Sequence, residues 1–157
     1  MNNTEQIEQF WKEYLQLHPG VSHYYEAWAF GDSPEMADEL LDLVLRGIKT
    51  GTSSNYAMYE LEGGTPPRVG DQAILLNGLG QPKAVILTTK VDVLPFNEVS
   101  AEFAYTEGEG DRTLDYWRAV HEDFFSREAN FWNVAFDTGI MVLCENFEVV
   151  YSPSHTL

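Results

Sequence analysis

The chain has a single cysteine, Cys144, so it can form no internal disulfide and no zinc knuckle. Long apolar runs are also missing. The longest, such as Ala73-Ile74-Leu75-Leu76, fall far short of the roughly 20 residues a membrane helix needs. The opening residues Asn3, Thr4, Glu5 and Gln6 lack the basic and apolar regions of a secretory signal. Basic residues are scarce: nine stand against 25 acids, a net charge of -16. Nucleic-acid affinity comes mostly from neutralising phosphates with Lys and Arg, so this balance excludes a long duplex as partner. A single nucleotide or short RNA in a locally basic cleft stays open. The plainer reading of the charge is that it keeps the protein soluble. A cytoplasmic location without a membrane partner is expected.

Several chemistries are absent too. His18, His23, His121 and His155 show no paired metal-ligand spacing, and there is no nucleophile elbow or Walker loop. Gly78-Leu79-Gly80 precedes a strand instead of opening a helix, which makes it a hairpin and not a dinucleotide fingerprint. Cys144, inside an apolar strand, reads as buried and inert. No metal or cofactor is expected.

What is present describes one domain over residues 1–157, 44% hydrophobic and 13% aromatic, long enough to bury a core. Ile7, Phe10, Trp11, Tyr14 and Leu15 make one face of a helix that Pro19-Gly20 stops. With the aromatic-rich stretch after it, this helix makes residues 1–30 an N-terminal helix and covering segment. Ser33-Pro34 caps a second helix with Met36, Leu40, Leu41, Val44 and Leu45 inward, and Gly47 falls where a left-handed C-terminal cap belongs. An extended segment is expected from Lys49 to Tyr59. Asn77-Gly78 turns a hairpin between strands at Gln72 to Leu76 and Lys83 to Leu94. A short helix at Phe96 to Phe103 and a loop at Glu107-Gly108-Glu109-Gly110-Asp111 come next. A longer helix follows from Thr113, with Leu114, Trp117, Val120, His121 and Phe124 on one face, and a strand at Ile140 to Tyr151 closes the domain. Several antiparallel strands with helices outside them predict an α+β fold on a partly closed mixed or antiparallel β-barrel.

The segment Gly47-Ile48-Lys49-Thr50-Gly51-Thr52 carries the chemistry. It sets an amine and a hydroxyl close together on a tight turn. A desolvated Lys49 is able to take a proton from Thr52, and the backbone around Gly51 to hold an oxyanion or phosphate. The structural alternative is a lysine placed to favour the helix dipole. Arg112 and Arg118 are candidate phosphate contacts, with local salt bridging the plainer reading for Arg118. Trp28 and Tyr56 are candidates to stack a base, while Trp117, on a helical stripe, reads as core.

This segment matches the GxKxxT motif, and the chain resembles the ASCH-domain family. The resemblance extends through Tyr25-Ala27-Trp28-Phe30-Gly31, Val69-Gly70-Asp71, Pro95-Phe96 with Val99, and Glu107 to Arg112 on to Tyr116-Trp117-Arg118. It implies a PUA-like barrel with an RNA-binding cleft. It also implies, for one group of small members, hydrolysis of the amide of acetylated cytidine, and for another, cleavage of RNA. Carried over residue by residue, Lys49 and Thr52 become the catalytic amine and hydroxyl and Glu109 the carboxylate, with Glu107 its competitor. Gly47, Gly51, Ser53, Trp28, Tyr56 and Arg112 are then the expected substrate contacts. The arginine usual in the small group two residues past the motif threonine is serine here, Ser54. The expected function is an amidohydrolase of acetylated cytidine-like substrates, or a non-catalytic binder of RNA or nucleotides, or a ribonuclease.

Overall fold

The computed structural model describes residues 1–153. His155 lies outside them. The elements run α1 (Asn3–Leu17), β1 (Glu26–Trp28), α2 (Pro34–Leu45), β2 (Gly51–Asn55), α3 (Tyr56–Glu62), β3 (Gln72–Leu76), β4 (Pro82–Pro95), a 3-10 turn (Phe96–Glu98), α4 (Ala101–Glu107), α5 (Leu114–Phe131) and β5 (Met141–Tyr151). The strands form one mixed sheet in the order β1-β3-β4-β5-β2, flanked by helices. This mixed sheet with helices outside it is the α+β architecture that the sequence predicts. β1 runs parallel to β3, the other assigned pairs antiparallel. No helix among the described residues is long and apolar enough to cross a membrane.

Local chemistry sets the ends of these elements. Asn2 and Glu5 close a capping box on α1. Ser33 accepts from Met36 N–H with Pro34 in the first turn of α2. Asn55 Oδ1 accepts from Ala57 N–H at 3.2 Å and starts α3. The extended stretch expected to reach Tyr59 therefore ends at Asn55, because a capping side chain wins over the strand preference of Tyr56 and Tyr59. Ser100 caps α4, which runs on to Glu107 and closes on Gly108 at φ +72°. Glu107 thus belongs to a helix and not to the loop that its EGEGD setting suggests.

The chain divides into two compact units. The first comprises residues 1–48, 69–89 and the chain from Phe147 onward. Phe30, Leu41, Val44, Leu75, Ala84, Ile86 and Phe147 form one apolar cluster in it, and Phe10, Trp11, Tyr14, Ile74 and Val85 another. Gln72 is buried here without a loose end, since it accepts from Tyr14 Oη at 2.6 Å and donates to Ser22 O at 3.0 Å.

The second unit, residues 49–68 and 90–146, is built on Phe96, Val99, Ala104, Trp117, Phe125, Val142 and Cys144. β2 pairs with β5 inside it, Gly51 opposite Asn146, Thr52 opposite Glu145 and Ser53 opposite Cys144. Side chains alternate along a strand. Gly51, Ser53 and Asn55 therefore share one face, and Thr52 and Ser54 the other.

Candidate functional site around Lys49

The motif begins where α2 ends. Gly47, at φ +76°, donates to Val44 O, and Ile48 donates to Leu43 O at 2.9 Å. This is the Schellman closure expected of a helix stopped by glycine. Gly47 acts as that stop. Lys49 opens the second unit, and Thr50 N–H donates to Thr106 O at 2.7 Å. A Cβ on Gly51 would lie 2.6 Å from Thr106 Oγ1 and 3.0 Å from Asn146 Nδ2. Gly51 is thus required for the close approach of α4 to β2.

The Lys49 side chain is 1% exposed. Its Nζ donates to Glu107 Oε1 at 3.2 Å, to Glu107 O at 3.3 Å and to Glu109 Oε2 at 2.9 Å. Both carboxylates that compete for the catalytic role in the sequence reading thus meet the same ammonium, in different settings. Glu107 is buried. Its Oε2 accepts from Ser53 Oγ at 2.6 Å and from the indole N–H of Trp117, with His121 Nε2 at 3.5 Å. Burial works to raise the Glu107 carboxyl, but the Lys49 and His121 charges and the Ser53 and Trp117 donors bring it below the usual carboxylate range. His121 is held in turn: its Nδ1 donates to Trp117 O at 2.8 Å, and its ring stacks on Trp117 at 4.3 Å. Glu109 is 20% exposed, on a loop whose Gly108 and Gly110 have φ of +72° and +59°.

The other expected residues lie elsewhere. Thr52 projects from the face of β2 opposite Ser53, so Ser53 is the hydroxyl that meets Glu107. Tyr56 is exposed on the first turn of α3. Arg112, itself at φ +65°, folds back on α4: its Nε donates to Tyr105 O at 3.1 Å and its guanidinium lies 3.5 Å from the Tyr105 ring. Arg118 donates to Asn97 O at 3.3 Å. Trp28 belongs to the first unit, edge-on to Phe30 in its core.

Sequence reasoning takes Trp117 and His121 only as part of a helical face. Their i, i+4 spacing signals that they share a side of α5, but not that both point at Glu107. It also misses a pocket of about 200 Å³ lined by Lys90, Asp92, Phe103, Thr106, Cys144 and Asn146 among others. Lys49, Glu107 and Glu109 do not line it. It adjoins them through Thr106, which touches Gly51, and through Asn146 and Cys144, which pair with Gly51 and Ser53. Burial, with Glu107 and Asp92 nearby, pushes the Cys144 thiol up to about 12, which leaves it a poor nucleophile. Among the described residues no group of His, Cys, Asp and Glu is arranged to hold a metal ion.

The family model of the ASCH domain matches residues 26–151, and the chain belongs to the ASCH-domain family. It is similar to an ASCH domain from Lactobacillus crispatus JV V101, with 31% identity, 95% of this chain and 94% of that one covered, and a TM-score of 0.83. It is also similar to a protein from Enterococcus faecalis V583, with 39% identity, coverage of 94% and 89%, and a TM-score of 0.86. No curated protein matches the chain.

Proposed function

We propose that this ASCH protein binds a single nucleoside-like unit, either free or as an exposed base of a short RNA strand. The observation that carries the reading is the pocket beside the motif strand. At about 200 Å³ it falls below the roughly 300–1,000 Å³ of sites for drug-sized molecules, which suits one base more than a chain of them. Phe103 offers a face for stacking. Asn146 Oδ1 and a lone pair of Thr106 Oγ1 offer acceptors to a base edge, their donors being engaged by Thr50 O, Thr106 Oγ1 and Phe103 O. Lys90, beside Asp92 at 3.4 Å, offers a charge for a phosphate. Lys49 and Glu107 hold α4 against β2 and so fix one wall. Lys49 Nζ donates to three oxygens, Glu107 Oε1, Glu107 O and Glu109 Oε2, which leaves no lone pair aimed at a hydroxyl, and this favours binding over a general-base role for the lysine.

Calorimetric titration with cytidine, cytidine monophosphate, acetylated cytidine and a four-nucleotide RNA tests the reading. At least one of them should bind, and Asn146→Ala and Phe103→Ala should each weaken it about tenfold, the worth of one stacked base or hydrogen bond. Raising salt from 50 to 200 mM should cost less than about threefold per phosphate contact. Absence of binding for all four at millimolar concentration, or unchanged binding in both variants, refutes it.

A second reading rests on the Ser53 Oγ contact with Glu107 Oε2. It is an amidohydrolase in which the Ser53 hydroxyl attacks the acyl carbon and Lys49 stabilises the oxyanion. Glu107 receives the hydroxyl proton and passes it to the departing amine as the C–N bond breaks, and water then hydrolyses the acyl-serine to free the acid. Release of cytidine from acetylated cytidine, lost in Ser53→Ala, would establish it. Loss in Thr52→Ala alone would return the role to the motif threonine, and degradation of the RNA instead would mark a ribonuclease. Neither reading calls for a cofactor.

A further inference from the structure

The last turn of α5 is built unlike a surface that faces water alone. Phe131 is 82% exposed and its ring lies 5.6 Å from that of Trp132. Val134 just beyond the helix, and Leu61 near the end of α3, are exposed as well. Glu128 sits one turn before Phe131 and Trp132, on the same side of the helix. Its Oε1 is buried and has no hydrogen-bond partner among the described residues. Burial and the neighbouring carboxylate of Glu62 push the Glu128 carboxyl up to about 7. The last turn of α5 carries no basic residue, although the carbonyl end of a helix favours a cation. Three sources of negative potential therefore converge beside two aromatic rings.

We propose that this patch docks a protein segment presenting a lysine or arginine flanked by apolar residues. The cation takes the place between Glu128 and Glu62 at the carbonyl end of α5, with an aromatic face available to it. The flanking side chains cover Phe131, Leu61 and Val134. Charge complementarity selects this occupant. A second copy of the chain brings another net charge of -16, and RNA brings the same sign. A bare metal ion leaves the apolar surface uncovered. The patch uses none of the residues around Lys49, so it is separate from the nucleoside reading.

The test uses the full chain labelled with nitrogen-15, titrated with acetyl-Gly-Leu-Arg-Leu-Gly-amide and with the same peptide carrying Gln for Arg. The arginine peptide should shift amides at residues 60–62 and 128–134. The glutamine peptide should bind about fivefold more weakly, as should the arginine peptide to Glu128→Gln, in line with the modest worth of one partly exposed ion pair. Phe131→Ser, a change at an exposed site, should abolish the shifts while leaving the rest of the spectrum intact. Three results overturn the proposal: no saturating shift by ~10 mM, weaker than any specific contact; shifts dominated by other regions; or equal binding of the two peptides. Self-association of the unliganded chain that disappears in Phe131→Ser would assign the patch to a second copy and overturn it too.

Discussion

Trp117 donates its indole N–H to Glu107 Oε2, joining the first turn of α5 to the last residue of α4. The glycine-rich loop between the two helices is bridged by this bond. Ser53 reaches the same oxygen from β2, and Lys49 the other oxygen. The carboxylate of Glu107 is therefore the point at which a strand, two helices and the motif lysine are tied together.

Removing the ammonium should cost more than its catalytic interest suggests. Lys49→Met leaves Glu107 buried with its main counter-charge gone, and such a loss costs about 3–5 kcal/mol. Adding Glu107→Gln to that variant should recover part of it, because the uncompensated charge is then gone as well. Urea unfolding of the two variants and the wild type measures both effects. A loss below about 1 kcal/mol, the scale of an exposed pair, would contradict the buried network. Activity tests that substitute Lys49 need this control, since without it lost function in the variant is indistinguishable from unfolding.

The pH dependence follows from the depressed Glu107 carboxyl. Its folded value lies below the ordinary 4.5, so folding favours the ionised form. The stability it contributes is fully present above about pH 4.5 and is lost as pH falls through the lower folded value. The difference in unfolding free energy between wild type and Glu107→Gln should hold from pH 7 to 5 and shrink only below that. A difference that fades between pH 7 and 6 would contradict the assignment.

Gly51→Ala should destabilise the second unit by about 1–3 kcal/mol, the usual cost of overpacking. The new methyl would press on Thr106 Oγ1, which donates to Phe103 O at 2.7 Å and accepts from Asn146 at 3.2 Å. Thr106→Ala in the same chain should restore part of the loss. Thermal melting of the single and double variants decides it, and an additive loss would contradict the contact.

Glu128 gives the opposite pH signature. Its folded value is raised from 4.5 to about 7, so the stability of the folded state is intact below about pH 4.5, is lost as pH rises from there through 7, and levels off above. Glu128→Gln should therefore leave the melting temperature nearly unchanged at pH 4. At pH 8 it should stabilise the protein by about 1–2 kcal/mol, allowing for partial exposure. Stabilisation of equal size at both values would show that ionisation is not its source.

Local signals in the sequence are read correctly where one or two residues decide. Ser33-Pro34 starts α2, Gly47 ends it, and Asn77-Gly78 turns the hairpin, because a capping oxygen or a left-handed glycine acts within a few residues. The partners of Lys49 are 58 and 60 residues away, and only folding selects them. Which of Glu107 and Glu109 would be buried is not written in EGEGD, a composition that reads as solvated loop. α3 escapes notice because Tyr56 and Tyr59 favour strands, and its cap, Asn55, suits a turn equally well. The parallel pairing of β1 with β3 has no local mark at all.

The alternation along β2 makes the length of the motif a chemical variable. Adding one residue between Lys49 and Gly51 would leave the composition nearly unchanged, yet it would exchange the two faces of the strand. Thr52 would then turn toward the Glu107 carboxylate and Ser53 away from it. Parity, as much as residue type, determines which hydroxyl is presented at this site.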